Sequence, residues 1–575
     1  MFLHRSILSF LACWLLCLLF VLPVHAQAPT WQSVVAISGE LTSVSASVAD
    51  GNGHVYLAGS FTRTAHFGTT SLTSTQAGSG DVFVAKWHIA SRSFVWVQQG
   101  VGMGDEEVIS LALSGTSLYI TGNFSGATVR FGNTLLTNRN ATTPGSYDVY
   151  VAKLTDAGST ASFTWAQQAG GTSNDLVKGM TVSGTSIYLI GDFRSATADF
   201  GPSALTNADP NFDDQFVAKL TDAGNSASFL WAYRAGSSGV DHALGLAVSG
   251  PTVYLVGLIT RTASFGSITL PNPSNNVSFD MYVAKLTDAG NTASFTWAQR
   301  VGGTSDEIAY GVAVNGTSVY VVGLFYGSTV NFGNATLANA NGGLGFNPDL
   351  FITKLTDNGT SASFVWAQRA GGTSYDVASK IIVKGTSLYV AGTFQSASAD
   401  FGSSLLINSD NSGNTYDVFV TKLTDRGPSA TFVWAQQGAG LGSEYVGNLS
   451  ESDGNLYLSG EAQPPASFGS FPITSPGSTY VGFVASLPTA IPLATQIAHP
   501  MAVELSPNPA STTLHLRGVA IGSHVQLVDV VGRLARITVV APGGSVSLQG
   551  VIPGLYVVRA TDTQGHQVSS RLVVE

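Results

Sequence analysis

Seven tryptophans recur through the middle of this 575-residue chain at intervals of 65 to 69 residues. A fixed period with a fixed aromatic residue indicates a repeat architecture, in which each unit packs on its neighbours. A chain of this length also exceeds what one ordinary core supports, unless that core repeats or closes into a ring. We interpret the tryptophans as packing residues between outer strands rather than as a sugar-stacking array. They are Trp31, Trp96, Trp165, Trp231, Trp297, Trp366 and Trp434.

Each repeat contains four predicted strands, which in the third copy cover residues 177–182, 187–193, 215–220 and 228–233. Their β-branched and aromatic residues are typical of strands, and no sustained helical spacing occurs between Gln27 and Leu487. Tight turns join the first strand to the second and the third to the fourth. A long polar loop is predicted between the second strand and the third.

The two ends of the repeat region favour a ring over a β-helix or a string of small sandwiches. The first three strand types occur seven times, but no tryptophan strand follows Leu487. The missing strand lies at the other end, at residues 30–34. A ring uses such a strand, because it completes the last unit and removes two open edges. We therefore predict an all-β protein in which residues 30–487 form a seven-bladed β-propeller closed by an N-terminal outer strand.

This strand order also predicts the recognition surface. The crossover after each tryptophan and the long loop between the second and third strands open on the same side of the ring. We call this side the long-loop face, and binding residues are expected on such loops. Its variable segments are residues 137–147, 207–213, 271–279, 339–348 and 408–416.

An acidic residue stands ten positions after six of the seven tryptophans. The strand order places these residues at the start of the innermost strands, where they could ring the mouth of a central channel and bind Ca²⁺. Alternatively, each carboxylate caps backbone N–H groups where the crossover turns inward. Recurrence in six units favours capping, because every blade needs a structural role. The residues are Glu106, Asp175, Asp241, Glu307, Asp376 and Glu444.

Catalytic motifs are sparse, and the net charge of −10 argues against a nucleic-acid partner. The histidines of the repeat region lack metal-ligand spacing, and His242 beside Asp241 is interpreted as a solvated turn residue. The sequence has no Gly-x-Ser-x-Gly elbow and no phosphate-binding loop. We therefore expect no catalytic residues, no bound metal and no enzyme activity. A glycan hydrolase or lyase using carboxylates of residues 209–214 stays open as an alternative, as does a purely structural surface component.

The N-terminal segment has the features of a secretory signal peptide. His4 and Arg5 precede an apolar run, and Val24-His25-Ala26 ends in a small residue, so residues 1–26 are predicted to be removed after Ala26. An uncleaved membrane anchor is the alternative. Both cysteines lie in this segment, so the mature chain would have no disulfide. No other stretch of the sequence is long and apolar enough to cross a bilayer, so no membrane span is expected after its removal.

Several segments of the third repeat resemble the bacterial β-propeller repeat known as SBBP. They are residues 169–175, 182–191 and 214–220. An Asp-x-aromatic-Val-Ala-Lys block recurs in most repeats, but in the last one Val481 and Ser486 replace the Asp and the Lys. The resemblance implies a propeller fold and no particular reaction.

From Met501 the tryptophan repeat is absent, and alternating strands predict a small Ig-like β-sandwich over residues 501–575, joined by a linker at residues 488–500. Its motifs resemble the type A C-terminal sorting domain of the type IX secretion system of Bacteroidota. That resemblance implies the secretion machinery as a partner, passage through the periplasm, and release or attachment at the outer-membrane surface. The ligand would be an unknown protein or glycan, and an accessory adhesion domain is the alternative. The motif residues are Pro507, Asn508, Pro509, Asp529, Gly532, Arg533, Gly554 and Tyr556.

Overall fold

All regular secondary structure that the computed structural model describes is β-strand, as the sequence predicts. The described residues are 28–140, 145–272, 278–303, 305–402, 404–410, 413–475, 479–490, 504–517, 519, 521–529, 533–561 and 567–575. The predicted signal peptide with Ala26, residues 491–500 of the predicted linker, and Gly532 lie outside them. The chain divides into two compact units between Ile491 and Pro492.

The strands of the first unit follow the tryptophan period. In the first three repeats they are β1 (Ser33–Ala49), β2 (His54–Phe67), β3 (Thr70–Thr73), β4 (Gly80–His88), β5 (Ser93–Gly102), β6 (Glu106–Ser114), β7 (Ser117–Phe124), β8 (Thr128–Phe131), β9 (Thr134–Thr137), β10 (Asp148–Asp156), β11 (Ala161–Ala169), β12 (Asp175–Ser183), β13 (Ser186–Phe193), β14 (Thr197–Phe200), β15 (Ser203–Thr206), β16 (Asp214–Asp222) and β17 (Ala227–Ala235). In the last four repeats they are β18 (Asp241–Ser249), β19 (Thr252–Ile259), β20 (Ala263–Phe265), β21 (Ile268–Leu270), β22 (Asp280–Asp288), β23 (Ala293–Val301), β24 (Glu307–Asn315), β25 (Ser318–Phe325), β26 (Thr329–Phe332), β27 (Ala335–Ala338), β28 (Asp349–Asp357), β29 (Ala362–Ala370), β30 (Asp376–Lys384), β31 (Ser387–Phe394), β32 (Ser398–Phe401), β33 (Ser404–Ile407), β34 (Asp417–Asp425), β35 (Ala430–Gly440), β36 (Glu444–Ser452), β37 (Asn455–Ala462), β38 (Ala466–Phe468), β39 (Phe471–Ile473) and β40 (Val481–Pro488).

These strands form seven antiparallel four-stranded sheets, which we number I to VII in chain order. Within sheets I to VI the strands run from inside to outside in sequence order, whereas in sheet VII the outermost strand is the first half of β1. The sheets are I (second half of β1, β2, β4, β5), II (β6, β7, β10, β11), III (β12, β13, β16, β17), IV (β18, β19, β22, β23), V (β24, β25, β28, β29), VI (β30, β31, β34, β35) and VII (β36, β37, β40, first half of β1).

The first half of β1 is the outer strand of sheet VII. It pairs with β40 from Ser33 opposite Ser486 to Ile37 opposite Gly482, while the second half of β1 pairs with β2. The pairing that the sequence predicted between the two ends of the repeat region is therefore present, but it uses residues 33–37 instead of the predicted 30–34, and Trp31 lies before the strand begins. One continuous strand links the last sheet to the first.

The apolar core of the first unit is divided among the junctions between sheets. Each innermost strand contacts the next in cyclic order: β1, β6, β12, β18, β24, β30, β36 and again β1. A cluster of buried apolar side chains fills each of the seven junctions, including the one between sheets VII and I. Every sheet is therefore covered on both faces, which explains why its central strands read as nearly continuous apolar runs.

The prediction of a long polar loop between the second and third strands is wrong in one respect, because this segment contains a short β-hairpin. In the third repeat β14 and β15 pair around Gly201, whose φ of 66° suits glycine at the turn. Phe200 is fully buried, with its ring centroid 4.7 Å from that of Phe216 and 5.6 Å from that of Phe229. The hairpin lies on the outer strand of the preceding sheet, where Gly170 bridges to Asp199.

The second unit contains two antiparallel sheets around one apolar cluster. One sheet has the order β41-β42-β45 and the other the order β44-β43-β46-β47. Their strands are β41 (Glu504–Ser506), β42 (Thr513–Arg517), β43 (His524–Asp529), β44 (Leu534–Val539), β45 (Ser545–Ser547), β46 (Gly554–Thr561) and β47 (Gln567–Val574).

Candidate functional site

The six acidic residues lie at the first position of the innermost strands of sheets II to VII. Each is at most 2% exposed, so their carboxylates do not line an open channel mouth. Asp175 accepts hydrogen bonds from the backbone N–H of Gly171 at 2.6 Å and from Ser195 Oγ at 2.7 Å. Asp376 makes the same two bonds with Gly372 and Ser396. These contacts are those of the capping alternative.

Each of these carboxylates also lies near the aspartate at the first position of the third strand of the preceding sheet, or at its second position in the case of Asp81. In sheets I and II the pair is Asp81 with Glu106, and burial followed by the charge of Asp81 raises the pKa of Glu106 to about 9. In sheets VI and VII burial and then the charge of Asp417 raise the pKa of Glu444 to about 9 as well. Both glutamates are therefore protonated at neutral pH.

At three of the six junctions this aspartate is paired with an arginine. The arginine follows the repeat tryptophan by three residues in the same sheet. Asp349 accepts a hydrogen bond from Arg369 Nη1 at 2.7 Å, and Asp214 and Asp280 are paired with arginines in the same way. Asp214 is 1% exposed, so it is a buried ion-pair partner and not an accessible loop acid.

The seven tryptophans are at most 7% exposed, and most of them carry a polar contact that the sequence analysis missed. Trp165 Nε1 donates to Asp222 Oδ1 at 3.0 Å, and Asp222 belongs to the next sheet. Asp222 Oδ2 accepts further hydrogen bonds from Lys153 Nζ and Tyr119 Oη, both at 2.6 Å. We call this group of a tyrosine, a lysine and a tryptophan on the aspartate of the next sheet a junction staple.

The junction staple recurs at five junctions, from I–II to V–VI. From the sequence, this aspartate is expected only as a residue of the turn between the third and fourth strands. An Asp two residues before a Gly commonly hydrogen-bonds the backbone of its own turn, so nothing in the sequence indicates a second role. The tyrosine, lysine, tryptophan and aspartate sets are Tyr56, Lys86, Trp96 and Asp156; Tyr119, Lys153, Trp165 and Asp222; Tyr188, Lys219, Trp231 and Asp288; Tyr254, Lys285, Trp297 and Asp357; and Tyr320, Lys354, Trp366 and Asp425.

The junctions on either side of sheet VII depart from this pattern. Thr489 stands where the staple aspartate would be, and the buried Nε1 of Trp434 has no hydrogen-bond partner among the described residues. At the closing junction no tryptophan takes this position, because Ser33 pairs with Ser486 where the other sheets pair tryptophan with lysine. Trp31 lies instead in the apolar cluster between sheets VI and VII, and its Nε1 donates to the carbonyl oxygen of Gln437 in sheet VI at 2.9 Å.

Two cavities lie along the innermost strands. One, of about 170 Å³, is lined by residues from the innermost strands of all seven sheets, including Lys178 and Lys380. The other, of about 340 Å³, carries the charged and polar side chains of Glu107, Lys380, Tyr445 and Glu461 beside apolar residues such as Val108 and Val446, and it also includes residues of sheet I. We call the second one the polar cavity. Burial lowers the pKa of Lys380 and raises that of Glu461.

Tyr445 on the wall of the polar cavity belongs to a row of five half-buried tyrosines, which we call the tyrosine arc. Successive ring centroids lie 5.7 to 6.5 Å apart. Every member stands where a second strand ends or where an inner or third strand begins, which is the long-loop face. The sequence analysis missed the arc because its members occupy different positions in different repeats. They are Tyr326, Tyr375, Tyr416, Tyr445 and Tyr480.

His242 is not the solvated turn residue that the sequence suggested. It is the second residue of β18, with its side chain 25% exposed, and its Nδ1 lies 3.1 Å from Asp192 Oδ1 in sheet III. Asp213, just before β16, completes a group whose ligand atoms all lie within 4.8 Å of one another. Burial opposes protonation of His242, but Asp192 and then Asp213 outweigh it and raise the pKa of the imidazole.

The motif residues of the second unit make local structural contacts. Asn508 joins two segments, since its Nδ2 donates to the carbonyl oxygen of Arg571 and its Oδ1 accepts from the N–H of Val573. Asp529 is paired with Arg533 at 2.8 Å. Tyr556, two residues after Gly554 begins β46, donates to the carbonyl oxygen of Ile552. Pro507 and Pro509 flank Asn508 in the segment after β41.

No family model matches this sequence, and no curated protein matches it. Among solved structures, Raptor of Chaetomium thermophilum matches with a TM-score of 0.40 and 7% identity over 80% of this chain, which spans about 30% of the Raptor chain. PorZ, a surface component of the type IX secretion system of Porphyromonas gingivalis, matches with a TM-score of 0.16 and 11% identity, covering 95% of this chain and 100% of PorZ. YjhT matches with a TM-score of 0.33 and 10% identity, covering 68% of this chain and 97% of YjhT. These scores are too low to support a statement about this chain's fold or function.

Among the residues that the structure describes, no helix has the length and apolar character needed to cross a bilayer.

Proposed function

We propose that residues 30–487 form a seven-bladed β-propeller that binds a glycan on its long-loop face without turning it over. The observation that carries the proposal is the polar cavity, with Tyr445 on its wall and the tyrosine arc leading to it. A volume of about 340 Å³ lies at the lower end of the range of small-ligand sites. A glycan needs both features, because the C–H face of a sugar packs on aromatic rings while its hydroxyls require polar partners.

The ring architecture is supported by three independent contacts. The pairing of Ser33–Ile37 with β40 joins the first repeat to the last. The cyclic contacts of the innermost strands and the apolar cluster at every junction fit a closed arrangement of seven units. Such a ring presents its crossovers and long loops on one side.

The glycan proposal is tested by binding of the purified chain to a panel of immobilised glycans. Tyr445→Ala and Tyr416→Ala are expected to weaken binding at least tenfold, since stacking on an aromatic ring is lost. Lys384→Ala is the matched surface control, because Lys384 ends β30 at the opposite side of the sheet and pairs with Glu451. Equal binding by all three variants would contradict the proposal.

The same panel separates binding from catalysis. Glu107 and Glu461 are the carboxylates on the polar cavity, so they are the acids that a glycan hydrolase would use at this cavity. Glycan cleavage that is lost in Glu107→Gln and in Glu461→Gln would show that the site is catalytic. Binding with no cleavage products would support a binding module.

A protein ligand is the second candidate function, because large apolar side chains are exposed on the same face. Phe346 is 90% exposed, Leu344 75% and Leu441 68%, and such residues are typical of protein interfaces. Phe346→Ala is expected to weaken binding to a protein partner and to leave glycan binding unchanged. The reverse pattern would favour the glycan alone.

We also propose that the chain is exported through its N-terminal signal peptide and then by the type IX machinery through its C-terminal region, residues 501–575. The support is the motif set around Asn508 and Asp529 together with the apolar N-terminal run. Mass spectrometry of secreted and surface fractions tests both steps, with expected mature termini after Ala26 and within residues 488–500. A chain that keeps residues 1–26 in those fractions would contradict the first step.

A further inference from the structure

Three side chains meet at one point between sheets III and IV: those of Asp192, Asp213 and His242. Asp192 lies near the end of β13 and Asp213 just before β16, whereas His242 comes from β18 of the next sheet. Their nearest ligand atoms all lie within 4.8 Å of one another. A divalent ion at their centre would contact groups from two sheets.

The repeat does not require these residues. At the position of Asp192 the other sheets carry serine, asparagine, leucine, threonine or glutamate, and at the position of His242 they carry serine, glutamate, leucine, isoleucine, valine or tyrosine. A role in the common fold would recur, as the junction staple does. The cluster is therefore a local addition to one junction. The residues at the first position are Ser60, Asn123, Leu258, Leu324, Thr393 and Glu461, and those at the second are Ser43, Glu107, Leu176, Ile308, Val377 and Tyr445.

The facing atoms of the cluster lack ordinary hydrogen-bond partners. Asp192 is 3% exposed, and its Oδ1 lies 3.1 Å from His242 Nδ1, which is an ion pair when the imidazole is protonated. Neither atom makes a hydrogen bond of good geometry with a described residue. The charge of Asp213 also acts on His242. Buried polar atoms in proteins are normally satisfied, and an ion between Asp192 Oδ1 and His242 Nδ1 would satisfy both when the imidazole is neutral.

The charge balance leaves room for a cation. Lys178 Nζ lies 3.9 Å from Asp192 Oδ2 and offsets one of the two carboxylates. The second carboxylate can be balanced either by a proton on His242 or by a cation, and a divalent ion would take the place of that proton on Nδ1. Asp213 is only half-buried and lies at the start of a strand on the long-loop face, which provides access from solvent.

We propose that Asp192, Asp213 and His242 bind one divalent first-row transition ion, with Zn²⁺ as the probe, and that the ion joins sheet III to sheet IV. One imidazole nitrogen with two carboxylate oxygens suits Zn²⁺, whereas Ca²⁺ takes oxygen ligands. This site is separate from the six buried acids for which Ca²⁺ was considered. The side of the ion away from the three ligands is left to water.

The test uses the mature chain without an affinity tag, stripped with a chelator and dialysed against Zn²⁺. We expect one bound equivalent per chain and a higher melting temperature with zinc, because an ion that binds only the folded state stabilises it. Asp192→Asn, Asp213→Asn and His242→Gln are each expected to remove the bound equivalent. Circular dichroism of each variant checks that it is folded.

Two controls make the test specific. His54 and His88 have ring centroids 5.0 Å apart and form a second place where zinc could bind, so the double variant His54→Gln/His88→Gln is expected to retain the equivalent. Asp199→Asn, which removes an exposed partner of Arg139, should also retain it. Loss of zinc in the His54/His88 variant, or retention in all three site variants, would overturn the proposal. For any site variant that does not fold, anomalous diffraction at the zinc edge on the wild-type protein decides, since the ion must lie between Asp192 and His242.

Discussion

Trp165 donates a hydrogen bond from its Nε1 to Oδ1 of Asp222, which lies 57 residues later in the neighbouring sheet. The same carboxylate accepts Lys153 Nζ, with both side chains 7% exposed. A repeated tryptophan that looks like a packing residue in the sequence thus holds a buried polar contact between units. Removal of one partner from a buried ion pair leaves the other charge uncompensated, which is costly.

Replacement of the staple aspartate should therefore destabilise the first unit strongly. Asp222→Ala is expected to lower the free energy of unfolding by about 3 kcal/mol, because it leaves Lys153 and Trp165 without their buried acceptor. Denaturant unfolding monitored by tryptophan fluorescence measures the change. Glu40→Gln is the control: its pair with Arg63 is more than half exposed, so the expected change is under about 1 kcal/mol.

The pH dependence of this difference gives a second readout. Burial favours the neutral form of Asp222, but the hydrogen bonds from Lys153 and Tyr119 outweigh it and lower its pKa below the ordinary 3.8. The stabilisation is therefore present above pH 3.8 and is lost as the pH falls through the folded pKa. A wild-type advantage that stayed constant down to pH 2 would contradict this assignment.

The junction between sheets VI and VII offers the converse experiment. Trp434 Nε1 is buried without a described partner, and Tyr389 Oη lies 3.5 Å from the carbonyl oxygen of Thr489. Thr489→Asp would place a carboxylate where the other junctions have one, next to Lys422 over the Tyr389 ring. We expect a gain of about 1 kcal/mol or more in the free energy of unfolding, since hydrogen bonds to charged groups are among the stronger ones.

Thr489→Asn is the matched control for that gain, because it has a similar shape without the charge. Thermal melts of the two variants beside the wild-type protein make the comparison. If Asp stabilises no more than Asn, the lysine does not contribute to the staple at this junction.

The buried glutamates predict a pH effect of the opposite sign. Glu106 has its pKa raised to about 9 from an ordinary 4.5, mainly by burial. Its contribution to stability is full below pH 4.5 and is lost as the pH rises from there toward 9. Glu106→Gln keeps the neutral form at all pH values, so the variant should gain about 2 kcal/mol relative to wild type at pH 8 and little at pH 5.

Unfolding curves at pH 5 and pH 8 measure this gain. Glu451→Gln serves as a control, because Glu451 pairs with the exposed Lys384 and should show no such increase with pH. An equal effect of Glu106→Gln at both pH values would mean that Glu106 is ionised in the folded protein.

The periodic features of the fold could be predicted from the sequence, and the non-periodic ones could not. The tryptophan interval and the orphan strand at Trp31 were enough to predict the pairing of β1 with β40. The short hairpins were missed because strands of three or four residues at a sheet edge are too brief for an alternating pattern to stand out. The contact of Asp222 with the neighbouring sheet was missed, because an aspartate is common in a turn of this kind and needs no second explanation.

The candidate sites depend on residues that no single repeat brings together. His242 and Asp192 are 50 positions apart and belong to different sheets, so no short sequence motif contains both of them. Tyr326 and Tyr480 likewise become parts of one arc only after three sheets lie side by side. For the six acidic residues the sequence favoured capping over an accessible ring at the channel mouth, and burial of the first strand position does remove their carboxylates from solvent.

The proposed ring, which β1 would close by pairing with β40, is tested most directly by a disulfide across that pair. Val35 lies opposite Val484, and the only natural cysteines are in the predicted signal peptide, so Val35→Cys/Val484→Cys introduces the only pair of thiols in the mature chain. The account predicts rapid oxidation of the folded protein and faster migration on a non-reducing denaturing gel, reversed by reductant. The pair Val35→Cys/Thr393→Cys, with Thr393 in sheet VI, should not cross-link. Two thiols that stay free in the folded Val35→Cys/Val484→Cys protein would contradict the closed ring.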